Sequence, residues 1–178
     1  AGEGPPSPTA GPPPIVLETE HCRLELAADG RGASLIDRRT GADHAAPGGA
    51  PWARVRAGGA EHPLDRVDRL PSPGGPPPGG APFARCQRLR LSFGASGVVA
   101  TVAATESRGY LVLEVVAIDG EAAEELVLPD IPLRLTGSPG EPFAACALAL
   151  DLRTNVLDIP GPNSRLRASS YRRFGFAG

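Results

Sequence analysis

The chain of 178 residues contains no methionine and no lysine, so all 18 of its basic residues are arginine. The absence of lysine reads as the codon bias of a GC-rich genome, in keeping with 27 alanines. An arginine-only basic set also invites phosphate recognition. The charge balance excludes a nucleic-acid partner: 20 acidic residues outnumber the arginines, the signs are interspersed, and the net charge is −2. Long apolar runs are missing as well. No stretch of about 18 apolar residues exists, which excludes a membrane-spanning helix. Aromatic residues are scarce, with one Trp, two Tyr and five Phe, so any core is thin and built from Leu, Val and Ala.

Cysteine is nearly absent too. Cys22, Cys86 and Cys146 allow at most one intramolecular disulfide with one thiol left over. Each sits in an apolar, strand-like pattern, and they read either as buried thiols or as one bridge. No Cys-x-x-Cys or His-x-His spacing occurs, so no metal site and no cofactor are expected. The missing methionine implies processing. The opening Ala1-Gly-Glu-Gly-Pro-Pro suits the residue after a signal-peptidase cut followed by a tether, and the expected location is secreted or periplasmic.

What is abundant is Gly and Pro, 44 residues of 178. They are concentrated in two places. Residues 1–14 carry six Pro and three Gly and read as an extended proline-rich arm. Residues 71–82 carry six Pro and four Gly and read as an internal loop. Residues 15–178 then form a single domain.

Within it, short alternating segments recur. Cys22–Leu26 puts Cys22, Leu24 and Leu26 on one face and Arg23 and Glu25 on the other. Strands are expected at Ile15–Thr19, Ala33–Asp37, Trp52–Ala57, near Glu61–Leu64, at 66–70, Arg85–Phe93, Val98–Thr105, Tyr110–Ile118, Glu125–Leu128, Ile131–Leu135, Ala144–Leu152 and Arg165–Tyr171. Tyr110–Ile118 is apolar on both faces apart from Glu114 and is expected to be central. Glu125–Leu135 is interrupted by Pro129 and Pro132 and is expected at an edge or bent. Only Glu121–Leu126 suits a helical turn. The pattern predicts an all-β, antiparallel sandwich.

Catalytic sets are hard to assemble. There is no Gly-x-Ser-x-Gly elbow. The carboxylates Asp37, Asp43, Glu106, Glu114, Asp130 and Asp151 fall mostly on outward faces, where solvation is the default. Glu114 is the exception, read as needing an arginine partner in an apolar strand. Trp52, Tyr110 and Tyr171 are the aromatic rings available to stack on a sugar; Trp52, after a Pro-rich loop, is the foremost candidate contact.

Two stretches resemble a known family. Arg23-Leu-Glu-Leu-Ala-Ala-Asp-Gly-Arg-Gly-Ala-Ser-Leu-Ile-Asp-Arg-Arg-Thr-Gly41 is similar to the opening hairpin of the galactose-mutarotase-like supersandwich domains that precede the catalytic barrel of many glycoside hydrolases. Ala147–Gly178, with Thr154-Asn155, Pro160-Gly161 and Tyr171-Arg-Arg-Phe-Gly-Phe-Ala-Gly178, is similar to the end of such a domain. The resemblance implies a β-supersandwich of two large sheets. It implies a non-catalytic, carbohydrate-associated role in an exported glycoside-hydrolase-like protein, with a glycan and a catalytic barrel domain as partners. The two His and one Glu of true mutarotases have no match here, so no catalytic residue transfers and this chain alone is not expected to be an enzyme. A different reading rests on the arm: a structural subunit of an extracellular assembly, contacting like subunits through residues 1–14 and adding Ile15–Thr19 to a neighbour's sheet.

Overall fold

The structure, a computed structural model, describes residues 12–71, 85–156, 158, 161 and 164–176. Residues 1–11 of the proline arm and 72–82 of the loop lie outside that set. The described residues form twelve strands, all paired antiparallel, in three sheets.

The first sheet is a meander of β1 (Ile15–Glu18), β2 (Cys22–Leu26) and β3 (Ala33–Asp37). Its alternation works as the sequence demands. Leu24 faces Leu35 and Ile15 faces Leu26 on the buried side. On the open side Arg23 pairs with Glu25 at 2.7 Å. The Asp37-Arg-Arg-Thr-Gly41 turn is self-built. The Asp37 carboxylate accepts the Arg39 backbone N–H at 2.9 Å and the Thr40 hydroxyl at 2.8 Å, and Gly41 takes φ +74°. β1 pairs at home rather than in a neighbour's sheet. Its outer edge is covered as well: Gln87 Nε2 donates to Val16 O at 2.8 Å, and Glu18 N donates to Glu106 Oε1 at 3.1 Å. Ile15–Glu18 is thus taken up in the chain's own first sheet.

The second sheet runs β6-β7-β8-β9, with β6 Arg66–Leu70, β7 Arg85–Ser92, β8 Val99–Glu106 and β9 Leu111–Asp119. Large residues meet small ones across it: Leu91 faces Ala100 and Leu89 faces Val102. β9 is an edge strand, not the central one its sequence suggests. Glu114 is consequently exposed and Val116 is 44% exposed.

The third sheet has the order β11-β12-β10-β4-β5, from Thr154–Asn155, Arg165–Tyr171, Ala123–Pro132, Arg54–Ala57 and Ala60–Pro63. β10 is a single strand where two interrupted ones, and a helical turn at Glu121–Leu126, are expected. It is central, because the register shifts between Val127 and Asp130 and Pro129 falls inside that irregularity, where no ladder N–H is needed. The expected strand Ala144–Leu152 pairs with nothing among the described residues; only Thr154–Asn155 beyond it joins the sheet.

The three sheets share one core. Leu17 and Leu26 come from the first, Leu89 and Val102 from the second, Val55, Leu126 and Ile131 from the third. The result is all-β and sandwich-like. Its strands fall into three sheets, however, rather than the two large ones the resemblance implies.

Candidate functional site

The irregularity in β10 re-aims one residue. Before it, Glu125 and Val127 point away from the core and Leu126 points in. After it, Asp130 and Pro132 point away and Ile131 points in. The outward face of the third sheet thus collects Arg54 and Arg56 from β4, Glu125 and Asp130 from β10, and Arg165, Arg167 and Tyr171 from β12. Glu61 of β5 borders them.

Asp130 is the centre. Its side chain is 2% exposed, yet it is an anion gripped from two sides. Arg165 donates Nε at 2.9 Å and Nη2 at 2.6 Å to Oδ1, and the Arg54 Nη1 contacts Oδ2. The Asp130 backbone N–H is fixed by Trp52 O at 2.8 Å. A buried carboxylate is tolerated only when paired in this way. Arg54 pays part of the cost: its burial lowers its pKa, Glu61 opposes that, and the nearby Arg167 and Arg165 lower it further. Arg167 lies directly across the ladder from Asp130 but has no ion-pair partner among the described residues. Among the described residues its guanidinium is uncommitted, beside two committed ones.

Tyr171 closes one end of this face. Arg173 stands 5.2 Å from the Tyr171 ring centroid and 4.7 Å from that of Phe174, and the two rings meet edge-on at 6.2 Å. The platform combines π faces and a guanidinium. Arg56, 49% exposed, faces Glu125 across the ladder, and Glu125 in turn faces Tyr171.

The other sequence candidates fare differently. Trp52 is 1% exposed and its indole N–H donates to Ala27 O at 3.0 Å, so it is core and supports Asp130 from beneath; it is corrected as a sugar contact. Tyr110 is 63% exposed, in the turn before β9 and outside the arginine-lined face. Cys22, Cys86 and Cys146 are thiols, and no bridge joins them. Cys22 and Cys86 are half-buried, whereas Cys146 is exposed, which overturns the buried reading for it. The carboxylates also sort against expectation: Asp37, Glu106 and Asp130 are buried while Glu114 is not. Among the described residues no group of three His, Cys, Asp or Glu could hold a metal. The cleft beside Asp130, lined by Gly32, Ala46 and Trp52, holds about 10 Å³, room for a water and not for a substrate.

Sequence reasoning found Tyr171 but missed Asp130, Arg54, Arg165 and Arg167 as a unit. The available signal was the odd-numbered alternation of Arg165, Arg167 and Tyr171 in one strand, which puts three polar or aromatic groups on one face.

The fold and this surface define an all-β module whose third sheet presents an arginine-lined outward face. No protein-family model, curated protein or solved structure matches the chain.

Proposed function

We propose that this chain is a non-catalytic, carbohydrate-associated β-sandwich domain of an exported glycoside-hydrolase-like protein, and that the glycan it takes is acidic. The observation that carries this reading is the uncommitted Arg167 on the same sheet face as Tyr171, over an Asp130 already neutralised by Arg54 and Arg165. A guanidinium recognises a carboxylate or sulfate with two parallel hydrogen bonds, and an aromatic ring packs against the apolar face of a sugar. The remaining carboxylates on the face, Glu61 and Glu125, lie toward Arg56 and not toward Arg167. They set a local acceptor pattern for sugar hydroxyls.

The test is calorimetric titration of the chain with an oligouronide and with a neutral oligosaccharide of equal length. The acidic ligand binds, and Arg167→Ala or Tyr171→Ala each weakens it roughly tenfold, or about 1.4 kcal/mol. Arg167→Ala leaves the unfolding temperature near its starting value, since Arg167 pairs with no described side chain. Turnover of glycosides by the purified chain, or equal affinity for both ligands, overturns the proposal.

A further inference from the structure

The second sheet buries one side in the core. Leu89, Leu91, Ala100, Val102 and Val115 point inward. The alternation therefore puts Arg88 and Arg90 of β7, Thr101 and Ala103 of β8 and Glu114 of β9 on the other side, where Arg90 and Glu114 are exposed. The register lines three of these up in one row across the ladder, Arg88–Ala103–Glu114. The two charges in that row have opposite signs and do not meet. Two strand spacings, roughly 10 Å, separate their backbones, with a single methyl group between. Among the described residues the side chains of Arg88, Arg90 and Glu114 have no hydrogen-bond or ion-pair partner. The anion opposite Arg90, Asp68, is already taken by Arg66, whose Nε and Nη2 donate to its Oδ1 at 3.0 and 2.8 Å. Between the free charges β8 presents Val99, Thr101, Ala103 and Thr105, short side chains that let a second surface come close.

Cations on one strand and an anion on another, either side of a neutral central strand, make a surface complementary to itself. A second copy laid face to face is related by a two-fold axis lying between the sheets, and the charges choose its direction. With the axis across the strands, β7 lies on β7, and Arg88 and Arg90 meet the same arginines. With the axis along β8, β7 lies on β9 and every row falls on itself. Arg88 of each copy then meets Glu114 of the other, twice by symmetry, while Ser92 meets Asp119 and Ala103 packs on Ala103. We infer that this chain forms a two-fold dimer by packing the outward face of its second sheet on that of a second copy, Arg88 supplying the partner that Glu114 lacks within its own chain. The overlap is three strands wide and the length of the eight-residue β8, roughly 14 by 26 Å, which puts the dimer in the weak, reversible class.

Sedimentation velocity of the intact chain across a concentration series tests the idea. A concentration-dependent dimer is expected. Glu114→Arg sets arginine against Arg88 at two symmetric contacts and raises the dissociation constant at least about 100-fold. Arg88→Glu does the same with carboxylates. The double variant Arg88→Glu, Glu114→Arg exchanges the charges and returns the constant to within about tenfold of the parent's. Neither side chain has a partner within the described chain, so circular dichroism of all three variants matches that of the parent. A chain that stays monomeric at millimolar concentration overturns the inference. So does a dimer that Glu114→Arg leaves intact, or one that the charge exchange fails to restore. A partner of another kind on this face would appear as that monomer. Glycan binding at Arg167 belongs to the third sheet and is unchanged by Glu114→Arg, so the two proposals fail separately.

Discussion

The outward face of the third sheet and the strip at 143–150 are the two surfaces that distinguish this molecule, and they solve the same problem in opposite ways. On the sheet face the polar groups are satisfied from within: Asp130 is 2% exposed and clamped by Arg165 at 2.6 Å. On the strip Phe143 and Ala145 pack against the core, while Leu148 and Leu150 are each 77% exposed. A surface with its charges already paired has one cation to spare and suits a small charged ligand. A surface of exposed leucine carries no charge of its own and contributes little to the fold. The difference is that between polar groups whose pairing the fold completes and apolar groups the fold leaves outside its core.

Substitution exposes that difference most strongly. Asp130→Ala leaves Arg54 and Arg165 facing each other without their anion and is expected to cost about 3 kcal/mol. That is the low end for breaking a buried pair, because Arg165 remains 35% exposed and solvent takes up part of the charge. Leu150→Ser on the strip is expected to change monomer stability by less than about 0.5 kcal/mol. Urea denaturation of both variants at low protein concentration makes the measurement, and equal losses would erase the distinction.

Salt separates the two surfaces with a smaller effect. Raising sodium chloride screens the charges at Arg167 and weakens the acidic glycan, and calorimetry in a salt series is expected to show the affinity falling.

The smallest effect is expected where neither surface is involved. Asp37 has its pKa lowered from 3.8, chiefly by the Arg39 backbone N–H and then by the Thr40 hydroxyl. Its folded value lies below its unfolded one, so its contribution is complete above about pH 4 and is lost as pH falls through the folded value. Asp37→Asn is therefore less stable than the parent at pH 6, and the gap closes on acidification below 3.8. Thermal melts from pH 6 to pH 2.5 follow it, with glycan binding at pH 6 unchanged.

Much of the local structure was legible from pattern alone. Cys22–Leu26, Ala33–Asp37 and Arg165–Tyr171 appear with the boundaries their alternation indicates. The motif Asp37-Arg-Arg-Thr-Gly41 acts as a turn for reasons contained within five residues. The segment Ala144–Leu152 alternates as a strand would, and its Ala145 does pack inward, but periodicity does not reveal whether a partner strand exists. Of the candidate face, Tyr171 and the carboxylate of Asp130 were legible singly in the sequence, Asp130 as a solvated group rather than a buried one, and the arginines that clamp it were not. Trp52 was misassigned because a loop composition on one side of it says nothing about what folds over it.

Sequence by itself determined the β periodicity, the turns and the antiparallel pairing of near neighbours, since these depend on residues a few positions apart. Tertiary structure alone decided the order of strands. It placed the proline-interrupted β10 in the middle of its sheet and the apolar β9 at an edge. It also assembled Arg54, Asp130 and Arg165 from three strands into one cluster. Such contacts join residues separated by 35 positions and more, and they exist only once long-range pairing has been made. No local pattern encodes them, because their energy is shared among segments that are strangers in the sequence.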